Sequence, residues 1–149
     1  MKSRVLALPV IAALAGLLLS GCAAGNPTPE SAEVTGSWQA EGSTLDLADD
    51  GTFTGSGIPI SVFGDKDGNL PPTVPGANTR DRTTSGSGTW QVTDARSGPF
   101  PVIELSFAPN ADVTAETSVR LLTSGSGDSR DVFFALGRAD GGVFTYKRP

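Results

Sequence analysis

The chain has no histidine, one cysteine and one methionine, and aromatic residues make up only 7% of its 149 positions. Each shortage removes a class of chemistry. Without histidine a Ser-His-Asp or Cys-His catalytic arrangement cannot be built, and Cys22 alone cannot make a zinc site of His and Cys ligands. A single cysteine also excludes an internal disulfide, so the fold must rest on its apolar core. Basic residues are scarce as well: 11 Lys and Arg stand against 16 Asp and Glu, for a net charge of −5. Nucleic acid is therefore not an expected partner, because binding a phosphate backbone needs a basic patch. From Thr35 onward no stretch keeps a 3.6-residue apolar period over helical length, which leaves room for no more than a helical turn in a long loop. The one long apolar run, residues 5–19, stops at Ser20-Gly21, short of the about 20 residues that a bilayer-crossing helix needs.

That run has the anatomy of a signal peptide: Met1-Lys2-Ser3-Arg4 supplies a positive n-region and residues 5–19 an h-region. It closes on Leu19-Ser20-Gly21-Cys22, which resembles the lipobox of bacterial lipoproteins. The resemblance implies a diacylglyceryl group (palmitate or a similar acyl chain) on the Cys22 thiol, cleavage just before it, and acylation of the new amine. Two or more acyl chains give stable anchoring where one is marginal. The alternative is an ordinary secretory signal cut near Ala23-Ala24, but it would leave Cys22 as an unpaired thiol in an oxidising compartment. Residues 1–21 are thus expected to be a cleaved signal, residues 22–34 a lipidated cysteine with a flexible tether, and residues 35–149 the folded domain. The expected location is the extracytoplasmic face of the cell membrane, with the membrane itself as the expected partner through the anchor. Cleavage removes Lys2 and Arg4, making the mature chain still more acidic, so charge does not draw it to anionic headgroups.

The domain reads as short β runs separated by turn residues. Eight strands are predicted, at about 34–40, 44–48, 52–57, 84–92, 101–107, 118–123, 131–136 and 143–148. Leu45 and Leu47 alternate around Asp46, and Ile103, Leu105 and Phe107 share a face, as do Val132, Phe134 and Leu136. Asp49-Asp50-Gly51 supplies the positive φ that a tight hairpin demands. Sequential strands with mostly short connections favour an eight-stranded up-and-down antiparallel barrel, because closure removes exposed edges. A β-sandwich is the alternative. The exception to short connections is 58–83, which holds Pro59, Pro71, Pro72 and Pro75; connections of this length are usually lids or binding loops. In a meander it shares one rim with 108–117 and the turn at Gly141-Gly142, and that rim is the candidate mouth.

Gly36-Ser37-Trp38 resembles the Gly-x-Trp signature of calycins, the superfamily of lipocalins, fatty-acid-binding proteins and avidins. That resemblance implies a barrel whose tryptophan plugs the closed end beneath a basic residue of the last strand, here Lys147 or Arg148. Within the superfamily, the opening 34–38, Gly42-Ser43-Thr44, Asp50-Gly51 and Thr54-Gly55, with 121–125 and 144–149, is similar to bacterial avidins. By that likeness Ser43 falls where a serine bonds the ureido oxygen of biotin. Ala40 occupies the neighbouring asparagine position and Arg120 an expected tryptophan position, so Trp90 is the only remaining aromatic wall and biotin itself is not expected. The lipobox, Asp50-Gly51-Thr52-Phe53, Gly88-Thr89-Trp90 and Phe134-Ala135-Leu136-Gly137 together resemble lipoproteins of actinobacteria, a likeness that implies location and architecture and no activity.

Asp65-Lys66-Asp67-Gly68-Asn69 alternates oxygen side chains like a calcium loop, but Gly is out of place and Gly76 stands where a closing Glu would be. A solvated Asx turn is expected there, and no metal or cofactor. Glu104 alternates with Ile103 and Leu105 and is expected to face solvent, so no reaction is assigned and the protein is not expected to be an enzyme. The expected function is that of a membrane-anchored lipoprotein holding a small ligand at the barrel mouth, with Ser43 and Trp90 as candidate ligand residues. The alternative is a structural or protein-interaction module of the envelope whose core is filled by its own side chains.

Overall fold

The computed structural model describes residues 27–77, 81–93, 98–136 and 142–149. The signal expected at 1–21, Cys22, the start of the expected tether and the turn at 137–141 lie outside them. The described chain is all-β apart from single helical turns: β1 (Gly36–Ala40), β2 (Ser43–Leu47), β3 (Thr52–Pro59), β4 (Thr83–Thr93), β5 (Val102–Phe107), β6 (Thr117–Ser124), β7 (Asp131–Ala135) and β8 (Val143–Tyr146). They form one sheet in sequence order, each strand antiparallel to the next. The sheet curls until β1 meets the end of β8, where Gln39 and Lys147 exchange two backbone hydrogen bonds of 2.8 Å. The architecture is an eight-stranded up-and-down barrel, nearly closed, and not a sandwich.

Alternation sets the faces. Leu45 and Leu47 of β2, Ile103, Leu105 and Phe107 of β5, and Val132 and Phe134 of β7 point inward and are buried, as their period-two spacing requires. Outward positions on β2 to β4 are mostly Ser and Thr, among them Thr44, Thr52, Thr54, Ser56, Ser85, Ser87 and Thr89. An apolar interior within a hydroxyl-rich wall is the reverse of the pattern of a membrane-spanning barrel. Burying each Phe or Leu of the interior contributes about 1.5–3 kcal/mol, so this core replaces the missing disulfides.

β3 carries the irregularity that bends the wall. Its register against β4 shifts between Gly55 and Ile58, and Gly57 sits at φ +64° with Gly42 so close that a Cβ would lie 2.0 Å from its carbonyl oxygen. Only glycine meets both demands.

One boundary differs from expectation. Ser31–Val34, assigned to the flexible tether, is a helical turn, α1, closed by reciprocal contacts of Glu30 and Glu33, and Val34 is fully buried. Pro29 is buried too. The packed part of the chain therefore starts before residue 35, because Val34 is the apolar stopper for the end of the barrel from which β1 rises.

Candidate functional site

The expected mouth is shut. The chain leaving β3 turns through Ile60–Phe63, a tight helical turn whose four residues are all buried. Phe63 packs edge-on against Phe107, with ring centres 4.9 Å apart, and Phe107 meets Phe53 at 4.8 Å. Val74 and Val113 are buried with them. Polar contacts hold this lid to the 108–117 connection: Thr114 N–H donates to the Thr73 carbonyl at 2.7 Å, the Thr117 and Thr73 hydroxyls pair at 2.7 Å, and Arg82 reaches Asp112 at 3.4 Å. The 58–83 and 108–117 connections share this rim, and their described residues form a cover over it. The lid's outer surface keeps an open groove of about 440 Å³ along residues 68–76, lined by Leu70, Pro71 and Val74 among others.

Ser43 lies at this end, at 3% exposure, and its hydroxyl proton is committed inside the protein. Its hydroxyl donates to the Ser56 carbonyl at 2.8 Å and accepts from the Tyr146 hydroxyl at 2.7 Å. Burial pushes the Tyr146 hydroxyl up to about 12 from its ordinary 10.0, against the opposing pull of the Ser43 bond. Tyr146 in turn meets Phe144 at 5.2 Å and Phe134 at 6.0 Å.

Trp90 lies toward the opposite end, beside the β2–β3 hairpin, where its indole N–H donates to the Ala48 carbonyl at 2.8 Å. The structure does not bring Ser43 and Trp90 to one site. Trp38 is pinned in the same manner, donating to the Val34 carbonyl at 2.8 Å. Over its ring stands the Arg148 guanidinium, 4.6 Å from the centroid, and Arg148 also donates to the Glu33 carbonyl at 2.6 Å. Of the two basic residues expected there, Arg148 fills the place.

Arg130, which sequence reasoning did not single out, completes this end. Its side chain is 1% exposed, touching Thr123 at 3.5 Å and Glu33 at 3.4 Å, and its Nε has no partner among the described residues. Two arginines thus clamp α1 beneath the barrel. Nothing local marks Arg130 in sequence, since it follows a Gly-Asp-Ser turn of the kind that normally leaves arginine in solvent.

The acidic loop is an Asx turn, as expected. Asp65 Oδ1 accepts from the backbone N–H of Asn69 at 2.9 Å and of Asp67 at 2.8 Å, and together with the Asn69 side chain these bonds hold its carboxyl below the usual range. Among the described residues, no group of three or more acidic, His or Cys side chains is placed to hold a metal. Glu104 points outward opposite Arg120 across β5 and β6. Comparisons with protein-family models, with curated proteins and with solved structures found no match.

Proposed function

We propose that the chain is a lipoprotein of the extracytoplasmic membrane face, held by acyl chains on Cys22, whose barrel is a structural or protein-interaction module and not an internal carrier of ligands. The observation that carries the second part is the filled interior. A ligand-carrying barrel needs space on the order of 300 Å³ or more, and here Phe53, Phe107, Phe134, Tyr146 and Trp38, all at 0–1% exposure, occupy the volume between the strands. Lid and plug cover the two ends. The anchoring half rests on the signal-like residues 1–21, on Leu19-Ser20-Gly21-Cys22 and on the lone thiol that acylation would consume. No reaction is proposed. A calycin-like kinship is part of this reading, supported by Trp38 beneath Arg148.

Replacing Cys22 by Ala tests the anchor: incorporation of labelled fatty acid is expected to fall to background and the protein to move from the membrane to the soluble fraction. Unchanged membrane fractionation would refute it. A second reading, a small ligand held at the rim, is favoured by the groove along 68–76. Native mass spectrometry of protein from its own host separates the two: a bare mass supports the filled module, and a reproducible adduct supports the rim site.

A further inference from the structure

Among the described residues the hydroxyl-rich outer wall carries exposed Val143 at the lidded end of β8 and, at the other end, an apolar strip across β5, β6 and β7. Val102, Leu122 and Phe133 stand side by side in register on the outer face, and Phe100 packs edge-on against Phe133 with ring centres 5.4 Å apart. All four side chains keep part of their surface in solvent. Glu104 and Arg120, opposite one another, border the strip on one side, and Ser124 and Asp131 on the other. Leu, Val and two Phe side by side on an otherwise Ser/Thr surface make an apolar patch of the kind that marks a contact.

The strip's position on the barrel says what it contacts. Val102 begins β5 and Leu122 is near the end of β6, so the strip is at the end of the barrel plugged by α1. Thr123 N–H bonds the Pro101 carbonyl at 3.1 Å, and Arg130, which touches Thr123, reaches Glu33 of the plug at 3.4 Å. The plug formed by α1, and with it the N-terminal side of the domain, therefore lies at the strip's end of the barrel. Pro29 is already buried, and seven peptide units separate it from Cys22, at most about 25 Å when fully extended. An anchor at Cys22 on so short a leash holds this end of the barrel within about 25 Å of the headgroups, within reach of contact.

We propose that Phe100, Val102, Leu122 and Phe133 lie against the lipid bilayer, so that the barrel rests on the membrane in one orientation with its lidded end outward. The inference rests on the Cys22 anchor proposed above. The contact is apolar, with rings and a Leu side chain at the boundary of headgroups and acyl chains, so the chain's negative charge does not prevent it.

Acylation leaves no free thiol, so one added cysteine can be labelled alone in the full-length lipidated protein. Ser124→Cys, beside the strip, and Glu41→Cys, on the turn at the opposite end, are each labelled with an environment-sensitive dye. Both proteins are reconstituted into phosphatidylcholine vesicles containing phosphatidylglycerol and a lipid-borne quencher. Quenching at position 124 is expected to exceed that at position 41 at least twofold. Adding Leu122→Thr and Phe133→Ser should bring position 124 down to the level of position 41 while the protein still floats with the vesicles. Equal quenching at both positions in floating protein overturns the docking and leaves the anchor standing. Protection of position 124 from a water-soluble quencher without lipid quenching overturns it in favour of a protein contact. Wild-type protein that does not float refutes the anchor, and the docking with it.

Discussion

Tyr146 shows at the scale of one residue how the interior is committed to itself. Its hydroxyl, raised to about 12, stays protonated in the folded protein at pH values where the unfolded chain, titrating near 10.0, has lost that proton. The folded state therefore binds more protons between pH 10 and 12, and stability falls as pH rises through that window, by about 3 kcal/mol in all. Tyr146→Phe is expected to cost about 1 kcal/mol at pH 7, for the bond to Ser43, and to flatten the alkaline loss; urea titrations at pH 8 and pH 11 measure both. Ser43 was a candidate ligand residue through its likeness to the avidin serine; nothing local says who shares its hydroxyl, and its partner comes from the far end of the chain. Trp90 was a candidate ligand wall by the same likeness, and its placement toward the other end from Ser43 depends on strand direction. Arg130 was invisible for a related reason. A buried guanidinium with a free Nε contradicts the ordinary fate of arginine, and only the packing of α1 makes the site.

Elements were more readable than residues. The Leu-Asp-Leu and Ile-Glu-Leu alternations, and Asp50-Gly51 between β2 and β3, made the strands plain in sequence, because period two and positive φ are local requirements. The lid was legible only as a long proline-bearing connection. Its inward turn at Ile60–Phe63 is decided by Phe107 on another strand. α1 was missed because Glu30 is not a usual capping residue and four residues carry no period. The β3 bulge is the most sensitive element. Gly57→Ala would combine an unfavourable left-handed φ with the collision at Gly42, and is expected to destabilise by about 3 kcal/mol or more. A lowered urea midpoint with an unchanged transition slope is the outcome to look for; a shift under 0.5 kcal/mol would mean the bulge relaxes.

For the molecule as a whole, the filled interior is testable by emptying it. Phe107→Ala removes the ring that joins Phe53 to Phe63 and should cost about 3–5 kcal/mol while opening an apolar cavity. Small apolar solutes such as benzene are expected to raise the melting temperature of that variant and to leave the wild type unchanged. A wild-type protein stabilised to the same extent would count against a filled barrel. The seam has a further consequence, for the order of assembly. Among the described residues, every ladder joins strands adjacent in the chain except the bridge from Gln39 to Lys147. Seven neighbouring pairings can zip up in turn, each except β3 with β4 closing only a short loop, whereas the bridge must bring together residues from opposite ends of the domain. The barrel thus reaches its final form only when the chain is complete through Lys147 and Arg148, and the residue that closes the ring is neighbour to the one that stacks on Trp38. Closure of the cylinder and sealing of its base are a single late event.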